Sequence, residues 1–241
     1  MKKLIILMVF VAMCATSMSQ GDSNTRIPMI GETAPSFVAE STNGSINFPS
    51  DLGKSWKILF SHPQDFTPVC SSEILELAYM QSKFDKLNAK LVVLSTDDLK
   101  THKLWKAAME EMEYKGREAT KITFPLVDDN SKAISRKYGM IHNASSSTRD
   151  VRGVFIIDPA NIVQAIYFYP MHVGRSTSEL LRAVSALQKS SNVIATPADW
   201  NSGDDFLVTI PPDEALDNTK PAPEGYYRAS WFMLFKKGTN D

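Results

Sequence analysis

Two short runs, KSWKILFS (Lys54 to Ser61) and KLVVLSTD (Lys90 to Asp97), hold this chain to a narrow set of folds. Both are strand-length and rich in Val, Ile and Leu, and they read as buried strands. Between them, SSEILELAYMQSKFDKL places Ile74, Leu77, Ala78 and Phe84 on one helical face. Further along, DLKTHKLWKAAMEEMEY predicts a second helix, ITFPLVDD a strand, and NSKAISRKYG a short helix closing at Gly139. RGVFIIDP and IVQAIYFYP predict two strands divided by a turn at Pro159-Ala160-Asn161. STSELLRAVSALQ predicts the last regular helix, opened by a capping box of Ser176 and Glu179. The order β-α-β-α-β-α-β-β-α belongs to the α/β class, with helices covering a central sheet. The final two strands, joined by a short turn, are expected to pair antiparallel and make that sheet mixed.

The two ends differ from this middle. Beyond about Lys189 the chain becomes rich in Pro, Asp and Asn and predicts a loop-rich extension. Within it, the apolar run Trp231 to Phe235 is expected to pair as a strand or to cover a partner subunit. At the start, MKKLIILMVFVAMCATSMSQ sets two lysines before an apolar run from Leu4 to about Ala15 and then small polar residues. That is the layout of a cleavable export signal, with Ser17-Met18-Ser19 as the cleavage site. The alternative, a membrane anchor, needs roughly 20 apolar residues where this run has about 12. A lipid anchor is disfavoured by Met13, which stands where a small residue should precede the cysteine. The expected division is a signal over 1–19, a domain over 20–189 and an extension over 190–241. The mature protein is then expected to be periplasmic or extracellular, with no membrane anchor. The formal net charge is −1, and losing Lys2 and Lys3 lowers it by two. No basic block stands out, so nucleic acid is not an expected partner. His102, His142 and His172 are scattered without metal-ligand spacing, and neither a metal nor a cofactor is expected.

Cysteine usage narrows the chemistry. Cleavage removes Cys14 and leaves Cys70 alone, so the mature chain has no internal disulfide to form. An unpaired thiol is unusual in an exported protein. Cys70 lies in HPQDFTPVCSSE, where a strand gives way to a helix beginning near Pro68, a residue suited to a first helical turn. The partial positive charge of a helix start stabilises a thiolate. Thr67, three residues earlier, can donate its hydroxyl to the sulfur or to a bound oxygen atom, and Pro63 and Pro68 stiffen the loop. From placement alone a second reading stays open, in which Cys70 is a small buried hydrophobe.

The stretch resembles a known family. PQDFTPVC carries the P-x-x-x-T-x-x-C motif of the peroxiredoxins, with Pro63, Thr67 and Cys70 in its fixed positions. FSHPQDFTPVCSSE is similar to the one-cysteine subfamily that includes mammalian peroxiredoxin 6. LSTDDLKTHKLW, RGVFIIDP, GRSTSELLR and ATPADW resemble further segments of that family, and the likeness runs from about Ile30 to Tyr227. The resemblance implies a thioredoxin-like fold and a thiol peroxidase acting on hydroperoxides. It makes Cys70 the nucleophile that becomes a sulfenic acid. It assigns Thr67 to holding the peroxide oxygens in line, Arg152 to favouring the thiolate and the transition state, and Glu73 to orienting Arg152. Arg175 is expected in the same polar network. His62 is expected either to assist proton transfer or to hydrogen-bond backbone, while His102 and Trp105 are expected to pack. No cysteine occurs from Ala195 to Asp241, so the reductant is expected from outside, as a small thiol or a reductase protein. Family members pair through sheet edges and C-terminal arms, and some build rings, so a homodimer or larger ring is expected. The chain has no G-x-S-x-G segment, and the phospholipase activity of some relatives is not carried over.

Two other classes compete with this one. A thiol-disulfide oxidoreductase needs Cys-x-x-Cys, but the position three before Cys70 is Thr67 and no cysteine follows Cys70. A peroxide sensor or holdase shares the first chemical step and differs only in the fate of the oxidised sulfur.

Overall fold

The computed structural model describes residues 26–209, 222 and 224–238. The expected signal over 1–19, with Cys14, lies outside the described residues. Among them the expected alternation is present. β3 (Trp56–Ser61), α1 (Pro68–Lys86), β4 (Ala89–Ser95), α2 (Leu99–Met109), β5 (Leu126–Asp128), α3 (Ala133–Lys137), β6 (Arg152–Ile157), β7 (Val163–Tyr169) and α4 (Thr177–Lys189) run in the predicted order. A hairpin precedes them, β1 (Phe37–Ser41) and β2 (Gly44–Phe48), which the sequence pattern does not announce.

Seven strands form one mixed sheet in the order β2-β1-β5-β4-β3-β6-β7. β3 pairs parallel with β4 and antiparallel with β6, while β6 and β7 pair antiparallel as expected. The central strands owe their continuous apolar runs to this position. In β3, Ile58 and Phe60 face one layer and Leu59 the other, and in β4 Leu91 and Val93 oppose Val92 and Leu94. Burying one such side chain stabilises the fold by about 1.5–3 kcal/mol. On one face α1 and α4 pack, with Ile74, Leu77, Ala78, Phe84, Leu180 and Val184 in the core. On the other, Phe37 and Phe48 stack at 4.9 Å beside Tyr138 and Phe155.

The capping expectation holds at α4, where Ser176 Oγ accepts from the backbone N–H of Glu179. Glu179 does not complete the box, because its carboxylate pairs with Arg182. The C-terminal region is more ordered than expected. β8 (Ile194–Ala195), β9 (Phe206–Val208), β10 (Tyr226–Ser230) and β11 (Met233–Lys236) build a second sheet in the order β10-β11-β9-β8. The run from Trp231 splits: Met233 onward enters β11, and Trp231 and Phe232 stay exposed at the turn.

Candidate active site

Two neighbouring strand ends and one helix start converge on Cys70. β3 ends at Ser61 and the chain crosses residues 62–67 before α1 begins at Pro68. Cys70 is therefore the third residue of α1, and it is buried. Pro68 supplies a first helical residue with no N–H to satisfy. Thr67 is the N-cap but gives no side-chain cap. Its hydroxyl donates instead to the Gln64 carbonyl at 2.9 Å, which closes the loop on itself. In this structure that hydroxyl serves the loop, where the sequence pattern offers it to the sulfur or to a bound oxygen atom. Pro63 is buried in the loop, and Phe66, exposed, holds a left-handed backbone with φ of 54°. A non-glycine residue there costs about 1–2 kcal/mol, which the surrounding hydrogen bonds must offset.

β6 lies beside β3 and delivers Arg152 to the sulfur. Its Nη1 donates to Cys70 Sγ at 3.4 Å and to Glu73 Oε2 at 2.6 Å. Its Nε and Nη2 both donate to the Met171 carbonyl, at 2.8 and 2.6 Å, in the loop after β7. The planar guanidinium is thus fixed from two sides, a geometry that lysine does not reproduce. Glu73, one helical turn after Cys70, also takes Arg175. The backbone N–H and Nε of Arg175 donate to Oε1 at 2.7 and 2.8 Å, and its Nη2 to Oε2 at 2.8 Å. Arg175 Nη1 donates to the Gly153 carbonyl, and its guanidinium lies 3.4 Å above the Phe60 ring. Burial alone would push the Glu73 carboxyl up, but the hydrogen bonds and charge of Arg175, then Arg152, hold it below its ordinary value. Burial works the other way on Arg175, lowering it despite Glu73. Gly153 allows the close fit, because a side chain there would press on Ser61 Oγ and Phe168, each 3.1 Å from its first carbon.

Two arginines and one glutamate leave this buried group with one net positive charge, directed at Cys70. The arrangement can hold an anionic sulfur and receive a small polar molecule beside it. The structure therefore brings Cys70, Glu73, Arg152 and Arg175 into one hydrogen-bonded group, with Thr67 and Pro63 in the adjoining loop.

His62 departs from one of its two expected roles. It is fully buried, and neither ring nitrogen hydrogen-bonds the backbone or any other described group. Its ring packs on Trp105 at 5.0 Å. Burial, only partly countered by Asp65, lowers its pKa to about 4. His102, expected merely to pack, is instead hydrogen-bonded to Asp65 and to the Val127 carbonyl. Asp65 does not stand out in the sequence. A carboxylate in the middle of the cysteine loop, with a histidine in a helix bordering the same sheet, is the available signal. Among the described residues no cluster of His, Cys, Asp and Glu has metal-binding geometry.

Comparison with known proteins identifies relatives of this chain. The AhpC/TSA family model matches residues 30–166. A peroxiredoxin of Methanosarcina mazei is 43% identical over 219 residues, covering 88% of this chain and 99% of its own. A peroxiredoxin of Aquifex aeolicus is 38% identical over 221 residues, covering 88% of this chain and 97% of its own. Among solved structures, the yeast mitochondrial 1-Cys peroxiredoxin, studied for thiol resolution through glutathione and thioredoxin systems, superposes with a TM-score of 0.75 at 35% identity. It covers 88% of this chain and 100% of its own. A cysteine-to-serine mutant of peroxiredoxin 6 from Arenicola marina gives 0.73 at 31% identity, covering 88% and 99%.

Proposed function

The chain belongs to the AhpC/TSA family of peroxiredoxins, thiol-dependent peroxidases, and from that premise we propose that it runs a one-cysteine cycle on Cys70. The observation that carries the proposal is the 3.4 Å contact from Arg152 to the sulfur, inside a buried group whose net positive charge a Cys70 thiolate brings to zero.

In the first step the Cys70 thiolate attacks one peroxide oxygen. The S–O bond forms as the O–O bond breaks, and the second oxygen leaves as hydroxide or alkoxide and takes a proton to become water or an alcohol. The sulfur is oxidised to sulfenic acid and the peroxide is reduced. Arg152 stabilises charge on the peroxide oxygens as that bond breaks, and Glu73 and Arg175 hold Arg152 in place. Thr67 exchanges its bond to Gln64 for one to the peroxide. In the second half an external thiol attacks the sulfenic sulfur, releasing water and leaving a mixed disulfide. A second thiol then frees Cys70. Support for an external reductant comes from the cysteine count: Cys70 is the free cysteine of the described residues, and the C-terminal strands carry none.

The test uses a Cys14→Ser chain with hydrogen peroxide. One equivalent should add one oxygen atom to Cys70. Without thiol, excess peroxide should only carry that sulfur on to sulfinic or sulfonic acid and then cease to be consumed, and catalytic consumption should begin when a small dithiol is added. Sustained turnover without any thiol would overturn the one-cysteine cycle.

A further inference from the structure

Behind the cysteine loop lies a second buried charged group that the chemistry above does not use. His62 and His102 are fully buried and Asp65 nearly so. His102 Nε2 lies 3.0 Å from the Val127 carbonyl, and Nδ1 lies 2.7 Å from Asp65 Oδ2. A carbonyl oxygen only accepts, so Nε2 carries a proton. An ionised carboxylate also only accepts, so beside a charged Asp65 the Nδ1 carries one too, and His102 is an imidazolium. Burial opposes that charge, but the hydrogen bond and charge of Asp65 outweigh it and hold His102 above its ordinary value. The other oxygen of Asp65, Oδ1, has no hydrogen-bond partner among the described residues and faces His62 Nε2 at 3.5 Å, without hydrogen-bond geometry. The backbone N–H of Asp65 donates to Asp97 Oδ2, which also accepts from Ser95 Oγ. The loop is thereby tied to the end of β4 and to α2.

The charges that face His62 are Asp65 in its own loop, His102 in α2, Asp97 in the turn between β4 and α2, and Glu73 in α1. Glu73 is already paired with two arginines. The charge nearest to His62 is therefore Asp65, and the cation set against it is His102.

We propose that Asp65 and His102 are a positioning pair for the cysteine loop: the charge of His102 opposes that of Asp65 at His62 and so works with burial to keep His62 an uncharged imidazole, leaving the Arg152–Glu73–Arg175 group as the net positive charge beside Cys70. This inference rests on reading Cys70 as the reacting thiol, but the charge states of the two histidines are measurable without any peroxide.

Replacing His102→Gln keeps an amide donor and removes the charge. Burial alone then opposes Asp65 at His62, and removing a nearby like charge raises a histidine pKa. The NMR titration midpoint of His62 should climb from about 4 by about 1 unit. The pH profile of Cys70 oxidation by hydrogen peroxide should gain a step at the same midpoint, absent from the wild type. Adding Asp65→Asn to the same chain should return the midpoint and erase the step. A uniformly slower reaction with no new step, not restored by the second change, would mean a purely structural role and would overturn the proposal. If His102→Gln does not fold, the wild type decides. Its His102 should be doubly protonated at neutral pH and its His62 uncharged; a singly protonated His102, or a His62 titrating near its ordinary value, overturns the pair. An inert Cys70 with both titrations as expected would contradict the peroxidase reading instead.

Discussion

Replacing Glu73→Gln tests whether the buried ion group anchors the site. Each oxygen of Glu73 accepts two hydrogen bonds: Oε1 from the backbone and Nε of Arg175, and Oε2 from Arg152 Nη1 and Arg175 Nη2. Glutamine is nearly the same shape, but one acceptor becomes an amide whose hydrogens meet two N–H donors. Two buried arginines would also lose the carboxylate they share. Removing one partner of a buried pair costs about 3–5 kcal/mol, even where the intact pair contributes little net stability, because the remaining charge stays buried. At about 2–4 °C per kcal/mol for a chain of this size, the melting temperature should fall by about 6–20 °C. The pH dependence gives a second check. The folded pKa of Glu73 is depressed, so its contribution is present above the unfolded carboxylate range and is lost as pH falls through the folded value. The stability gap should be level above about pH 5 and narrow on acidification. Thermal melts of both proteins by circular dichroism between about pH 3.5 and 8 would measure it. A variant within about 1 kcal/mol of wild type at neutral pH would refute the reasoning.

Two other side chains give sharp expectations. Asp150 is fully buried, and neither of its oxygens has a hydrogen-bond partner among the described residues. Burial first, and then the charges of Asp129 and Asp97, push it well above the usual carboxylate range, and the Ser135 hydroxyl, which donates to Asp129, does not relieve it. The protonated form is the stable one when folded, so stability falls as pH rises from the unfolded value of about 3.9 towards the folded one, by about 1.4 kcal/mol per pH unit. Asp150→Asn should therefore gain on wild type as pH rises in denaturant titrations, and parallel curves would contradict this. Thr67→Val removes a hydroxyl that closes the loop and, in the proposed reaction, meets the peroxide. Loss of such a donor lowers a rate by about 10²–10³; stopped-flow oxidation should show that fall for valine and much less for Thr67→Ser, and a valine variant at wild-type speed would remove Thr67 from the mechanism.

The middle of the fold is legible because burial writes it into residue type. β3 and β4 are covered on both faces and so carry unbroken Ile, Leu and Val, while α1 shows its buried face at helical spacing. The β1–β2 hairpin is hidden although Thr42-Asn43 form its turn and Gly44 opens β2 at φ of 99°. Its strands are five residues long and half exposed, so neither carries a strong apolar signal. The C-terminal sheet escapes for a similar reason: β8 and β9 span two and three residues, and their pairing is set by chain segments far apart. At the site, Glu73 and Arg152 lie 79 residues apart and Glu73 and Arg175 102 apart. Local pattern carries nothing about such pairs, and only the family motif ties them together. That motif spans Asp65 but leaves its position unspecified, and its partner His102 reads from sequence as an ordinary buried helix residue.

The most direct measurement is stopped-flow tryptophan fluorescence of the reduced protein mixed with hydrogen peroxide, beside a Cys70→Ser variant. Trp105 is a built-in reporter, since its Nε1 donates to Oγ of Ser71, the residue next to Cys70, at 3.2 Å. A fast phase that consumes one equivalent of peroxide and disappears in the serine variant is the predicted result. A folded, reduced wild type with no such phase, or a phase that survives the loss of Cys70, would contradict the account.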